Sequence, residues 1–388
     1  MAQQKIDFGA APDGAGGDNR RVALEKLQAN DDELYGLAGS ASSSAADAKT
    51  AAGVAQATAA TAKDAATVAQ ASATAALLGL GYAKAYNDYL INGSFDFWQR
   101  GTSFPNAAGV RYTADRWCTN GVGGSALAVS YLAFTVGQAQ VPGNPAGYLR
   151  ATATPGGGAG DGALAYQLIE NVSVLAGKTV TLTFWAKADT PGKQVAVEFS
   201  QAFGAGGSTT VTGIGVTKVA LTASWAKYTV TVTLPSIAGL NVGAGNYTAA
   251  SLWLDAGSAL SSRTGGLGHQ SITLDLAKVR LADGAEATDA PPRPAAIEYL
   301  MCCRYFQLVG SVRVIGYCNG NALGAPVQFF PMRQTPSAAS TVTSSSNVST
   351  GASNITALSA SSALAFVSPA GAGNTDCTFN LTLNAELQ

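Results

Sequence analysis

Aromatic residues on outward strand positions are the most specific chemistry this sequence offers. Trp185 and Trp253 stand on the polar phase of two alternating segments, VTLTFW (180–185) and SLWLD (251–255). Asp255 follows Trp253 by two residues, on the same phase. An indole face beside a carboxylate suits a sugar, because the ring stacks on apolar C–H groups and the acid takes hydroxyls. Trp185, Trp253 and Asp255 are therefore the candidate glycan-binding residues. The other reading of these strands covers both faces and makes the two indoles core. Trp98 and Trp117, beside Arg100 and Arg116, read as core.

Little else in the chain supports chemistry. His269 is the single histidine, so a His-bearing triad has one chance and a His-rich zinc site has none. The five cysteines are an odd number and no disulfide framework. Cys302–Cys303 is a vicinal pair on an apolar helix face and reads as structural. GAGG (204–207) and PGGGAGDG (155–162) look like phosphate loops. Neither opens a helix nor carries the Gly-Lys-Ser/Thr tail, so both read as turns. Asp96, Asp115, Asp161, Glu170, Glu198 and Asp255 are scattered carboxylates that nothing pairs. The sequence thus predicts no enzyme, no catalytic residue, no metal site and no cofactor. A net charge of −1 argues against nucleic acid, which needs a basic footprint. The start MAQQKIDFGA lacks a secretory pattern, and the Ala-rich run is interrupted by polar residues, so no membrane insertion is expected.

The elements that must position the aromatics change along the chain. Residues 1–17 are Gly-bearing and irregular, and a helix is predicted to begin at Asp18 or Asn19. Ala23, Leu27, Asn30, Leu34 and Leu37 recur at spacings of four and three, the seam of a coiled coil. Asn30 is either a register-setter in that seam or a solvated residue. AKTAAGVAQATAAT (48–61) and AKDAATVAQASATA (62–75) match at 9 of 14 positions. Fourteen residues are two heptads, which puts Val54 and Val68 on one stripe and predicts helices packed side by side. The alternative for this stretch is a flexible linker. After Tyr89, period-two segments, YTVTVTL (228–234) and SITLDL (271–276) among them, separated by Gly- and Pro-rich turns predict an antiparallel sandwich or jelly roll. DAPPRP (289–294) closes it, a short helix follows over 295–307, and β-like runs return over 311–388. VQFFPM and TFNLTLNAEL are the clearest of these. The expected fold is mainly β with an N-terminal helical stalk: a trimeric coiled coil, a jelly-roll sandwich and a distal β domain.

Several segments are similar to one family. IDFGAAPDGAGGDNRRVALEKLQANDDELY (6–35) resembles the N-terminal segment of tailed-phage tail fibre proteins. NGSFDFWQRGTSF with YTADRW (92–117), GKTVTLTFWAKA (177–188), the turn FGAGGS (203–208) and LTASWAKYTVTVTLPSI (221–237) resemble the jelly-roll module of such fibres. So does the stretch from Gln270 to Gln307, which ends in Cys303, Arg304, Tyr305 and Phe306. VQFFPMRQTPSA (327–338) and NAEL (384–387) resemble their distal domain, whereas 340–376 matches nothing. The resemblance implies a receptor-binding protein of the phage virion, made in the host cytoplasm and assembled as a homotrimer. Residues 1–36 would attach to phage baseplate or tail proteins and 37–86 would form the stalk. Residues 87–290 would form a carbohydrate-module-like jelly roll, and 291–388 a distal tip. The implied partner is a host cell-surface glycan. The rival readings are a structural spacer or collar fibre and a polysaccharide depolymerase.

Overall fold

The structure, a computed structural model, describes residues 5–10, 15–77, 88–285, 292–357 and 359–387. It divides into two compact units, Met1–Leu80 and Gly81–Gln388.

The first unit is dominated by one helix, α1 (Arg20–Leu77). Asn19 caps it, its Oδ1 accepting the Val22 amide at 3.0 Å. The helix runs unbroken past residue 36. At 1.5 Å per residue it is about 87 Å long. Its threonines do not break it, because Thr50, Thr58, Thr61 and Thr67 each return a hydroxyl to the carbonyl four residues back. Leu27, Leu34, Leu37 and Val54 are each more than half exposed, and Asn30 is half-buried. The Val68 side chain lies outside the described residues. Among the described residues no helix is long and apolar enough to cross a membrane.

The second unit opens with two six-stranded antiparallel sheets. The first runs in the order β1 (Ser103–Ala107), β4 (Ala126–Ala133), β5 (Gly147–Thr154), β12 (Ile272–Asp283), β7 (Thr179–Ala188), β10 (Ala226–Thr233). The second runs β2 (Gly109–Tyr112), β3 (Trp117–Val122), β6 (Gly162–Glu170), β11 (Tyr247–Ala256), β8 (Gln194–Ala202), β9 (Val211–Ala220). The alternating segments anticipated from sequence lie in β7, β10, β11 and β12. Val180, Leu182, Phe184 and Ala186 of β7 enter the core between the sheets, with Val230 and Val232 of β10 and Leu252 and Leu254 of β11. Trp117 is 1% exposed there, 5.1 Å from the Phe95 ring. The half-buried pattern does not hold for β11, which is buried on both faces from Thr248 to Ala256.

The distal region carries α3 (Ala295–Cys303), after a single helical turn, α2 (Ser261–Thr264), in the sandwich. Six strands follow: β13 (Phe306–Cys318), β14 (Leu323–Gln328), β15 (Ser337–Ser346), β16 (Val348–Ala357), β17 (Ser362–Pro369) and β18 (Gly373–Asn384). They pair as β13-β18-β15 and β14-β17-β16 around Val314, Val367, Cys377, Phe379 and Leu381. VQFFPM is not the strand expected. Only Val327 and Gln328 stay in β14, and Phe329 and Met332 donate their amides to Ser361 and Ala360 as the chain turns away. All five cysteines are buried and unpaired, Cys302 and Cys303 included.

Buried charge joins the distal strands to the sandwich. Arg116, 1% exposed, pairs with Glu386, and Arg100 reaches the other oxygen of Glu386 at 3.1 Å. Tyr305 lies 3.5 Å under the Arg116 guanidinium and Phe306 3.5 Å under that of Arg100. Tyr112 donates its hydroxyl to the Leu387 carbonyl at 2.6 Å. Desolvated guanidinium groups need this compensation to stay charged.

Candidate functional site

The outer face of the first sheet is set by the strands' alternation. On β7, Thr181, Thr183, Trp185 and Lys187 point away from the core. Asp275 stands opposite Lys187 and Ala277 opposite Trp185 on β12, and Lys227 stands opposite Trp185 on β10. Arg150 on β5 faces Asp275. Two further rings come from the ends of strands. Phe134 follows β4, and Trp225 ends the turn TASW just before β10.

Phe134, Tyr148 of β5 and Trp225 meet in one aromatic cluster. Their centroids lie 4.7 Å (Phe134–Tyr148), 5.3 Å (Phe134–Trp225) and 5.2 Å (Tyr148–Trp225) apart. Tyr148 and Trp225 meet edge to face at 82°, a favoured geometry for π quadrupoles. Strands β12 and β7 lie between β5 and β10, so these rings meet above the sheet's outer face. Beside them is a cleft of about 300 Å³ lined by Gln140, Lys187, Ala223, Ser224 and Trp225. All three rings are only half-buried.

The charges here are ordered. Arg150 binds Asp275 with Nε at 2.7 Å and Nη2 at 2.9 Å, a bidentate clamp. That bond to Asp275 raises the Arg150 pKa. Burial, then the Asp275 charge, raises that of Tyr148. Lys187 Nζ sits 3.5 Å from Asp275 Oδ2 and 5.5 Å from the Trp225 centroid. A flat apolar ring, an amide, a hydroxyl and an ammonium thus surround one cleft. This is a binding inventory: stacking for C–H faces and donors for oxygens.

The three residues expected to meet a glycan are not together. Trp185 lies half-buried on this outer face. Trp253 and Asp255 are on the other sheet, and both expectations are corrected. Trp253 is 1% exposed. Its Nε1 donates to Glu198 at 2.8 Å, and Arg263 of α2 lies over its ring at 5.0 Å while clamping the same Glu198 through Nε and Nη2. With 1% of its surface exposed, this indole has no face left for a sugar. Asp255 is 0% exposed and accepts from Ser125 Oγ (2.8 Å), the Gln270 amide (2.9 Å) and His269 Nδ1 (2.9 Å). Ser, Asp and His meet here in the wrong order for nucleophilic catalysis, since the acid stands between the other two and His269 does not bond Ser125. Its second nitrogen faces the Gly158 carbonyl at 3.0 Å. Both ring nitrogens therefore face acceptors, which holds the imidazolium. The Asp255 bond raises the His269 pKa, and Gly158 adds to it.

PGGGAGDG is a turn, as anticipated. Asp161 accepts the Gly158 amide at 2.8 Å, and a Cβ on Gly156 would meet the same carboxylate oxygen at 2.3 Å. Among the described residues no group of three His, Cys, Asp or Glu side chains is placed to hold a metal. Trp225, Tyr148 and Phe134 were missed as candidates because they sit at strand ends and in turns, where period-two alternation says nothing. The signal available was a tryptophan in a four-residue turn, TASW, between two strands.

Residues 87–243 match the CBM 4/9 family, described as a carbohydrate binding domain. The chain carries a carbohydrate-binding-module-like domain. The match covers most of this sandwich, including β7, β10, Tyr148 and Trp225. The module is also similar to solved structures. The N-terminal cellulose-binding domain of Cellulomonas fimi β-1,4-glucanase C is 21% identical, over 38% of this chain and 88% of that one, with a TM-score of 0.26. The family 11 carbohydrate-binding module of cellulase Lic26A-Cel5E from Clostridium thermocellum is 10% identical, over 47% and 99%, at 0.29. The enzymatically active domain of tailspike protein 4 from bacteriophage CBA120 is 14% identical, over 51% and 22%, at 0.28. No curated protein matches the chain.

Proposed function

We propose that the module binds glycan on the outer face of its first sheet, with Trp225, Tyr148 and Trp185 as the aromatic surface and Gln140, Ser224 and Lys187 as polar partners. The carrying observation is the half-buried cluster of Phe134, Tyr148 and Trp225 beside an open cleft, in a domain matched by a carbohydrate-binding family. On this reading the domain binds and does not cleave.

The wider reading is a tailed-phage tail fibre that attaches the virion to the host bacterial surface. Its support is the resemblance of residues 6–35, the module and the closing segments to such fibres, together with α1. A lone 58-residue helix exposing Leu27, Leu34, Leu37 and Val54 gains stability only by covering that stripe with copies of itself. In this reading Asn30 and Val68 join the trimer seam, and residues 1–36 dock on phage baseplate or tail proteins. Three modules on one stalk bring weak sites together, and linkage of this kind raises avidity by about a hundred- to ten-thousand-fold.

Two measurements test this. Light scattering of the purified protein should give a mass near three times 39.0 kDa. A monomer removes the stalk. Binding to host envelope polysaccharide should require Trp225. Full retention by Trp225→Ala removes the site.

A further inference from the structure

The charges around the cleft specify the kind of sugar. This rests on the outer-face reading above and narrows its ligand. Asp275 is 4% exposed at its side chain and is already engaged by the bidentate Arg150. Lys187 lies 3.5 Å away with 29% of its side chain exposed, so one carboxylate stands between two cations. Asp189, just after β7, accepts the Thr273 amide, and neither acid lines the cleft. Lys187 is the single charged side chain among the cleft's lining residues.

A surplus positive charge at the floor of a binding cleft selects against neutral ligands. A neutral pyranose closing over Lys187 strips water from the ammonium and returns no charge. A carboxylate returns both a charge and a charge-assisted hydrogen bond. Lys187 Nζ lies over the Trp225 ring, 5.5 Å from its centroid, and the part of the half-buried indole it leaves uncovered supplies the stacking surface. That spacing lets one sugar ring lie on the indole while its carboxylate reaches the ammonium. Gln140 and Ser224 remain for hydroxyls.

We propose that this cleft selects a carboxylate-bearing pyranose such as a hexuronic acid, stacked on Trp225 with its carboxylate on Lys187. Lys187 then determines specificity and Trp225 supplies general affinity.

The experiment measures binding of the full-length protein to polygalacturonate and alginate. Xylan and β-glucan serve as neutral probes, and dextran sulfate as a charged probe without carboxylates. The wild type should bind the uronates at least about tenfold more tightly than either neutral polymer, as expected for a hydrogen bond to a charged group. Lys187→Gln should lose that preference and Lys187→Arg should keep most of it, while both leave the fold's circular dichroism unchanged. Trp225→Ala should lose binding to every glycan. Equal binding of uronates by the wild type and Lys187→Gln overturns the specificity proposal, and so does a preference for the neutral polymers. Binding of dextran sulfate as tight as that of the uronates shows bulk charge attraction and also overturns it. In these three cases dependence on Trp225 leaves the glycan-binding reading standing. Binding to none of the polymers, at any salt concentration, overturns both.

Discussion

The two outer faces of the sandwich carry tryptophans of the same sequence type and put them to opposite use. On the first sheet, Trp185 stays half-buried, and Trp225 with Tyr148 and Phe134 rises beside a cleft. On the second sheet, Trp253 vanishes under Arg263, with Leu164, Leu260 and Leu267 around it. At the other end of that face, Ile91, Cys302, Tyr305 and Leu387 cover Leu168 and Ala249. The second face is thus spent on holding the α2 strap and the distal strands, and the first is left for a ligand. Outward placement on a strand shows that a side chain leaves one core. It does not show that it reaches water.

The sharpest way to break this contrast is at the seam over the covered face. Glu386→Gln leaves buried Arg116 against a neutral partner, while Arg100 keeps Asp115 at 3.8 Å. It should cost about 3–5 kcal/mol in urea unfolding, as for other buried pairs that lose one member. A loss near zero would mean the seam is wet and the face open. Trp253→Ala should cost a similar amount, about 3–4 kcal/mol, because it empties a covered site and orphans a hydrogen bond to Glu198. It should leave glycan affinity unchanged. If instead affinity falls while stability holds, the assignment of the two faces is reversed. Trp225→Ala is the counterpart on the open face. It should cost only about 1–2 kcal/mol of stability, for two ring contacts at a half-buried position, and abolish binding.

The smallest effect is a pH dependence. His269 is held as the imidazolium by Asp255 and Gly158, so its folded pKa is raised above the ordinary value of 6.5. Its contribution is fully present below that value and is lost as pH rises through the raised folded value. The charged groups facing it are Asp255 of β11 and Asp161 of the glycine-rich turn. Asp88, beside Leu281 at the far end of β12, is pushed up to about 7 by burial and titrates in the same pH range. The reading is therefore the difference between wild type and His269→Gln. That difference in melting temperature should shrink between pH ~6 and pH ~9. A constant difference would mean that folding leaves the His269 pKa unshifted.

Much of the frame was legible because it rests on local rules. Asp18 or Asn19 could be named as the cap because a short polar side chain ahead of an apolar period does one job there, and the structure gives it to Asn19. Residues 180–185 and 228–234 declared themselves by period two, and the structure places them as neighbouring strands β7 and β10 in register. The misses have physical causes too. VQFFPM is apolar enough for a strand, yet Pro331 donates no amide and the chain leaves the sheet after Gln328.

By itself the sequence determined the sandwich, the start of the N-terminal helix and the burial of Cys302 and Cys303. Each follows from residue type and period alone. Only the tertiary structure decided which tryptophan faces solvent and which acid is already spent. Arg263 reaches Glu198 across 65 residues, Arg150 reaches Asp275 across 125, and Glu386 reaches Arg116 across 270. No local pattern encodes such pairings, and they determine which outer face stays open.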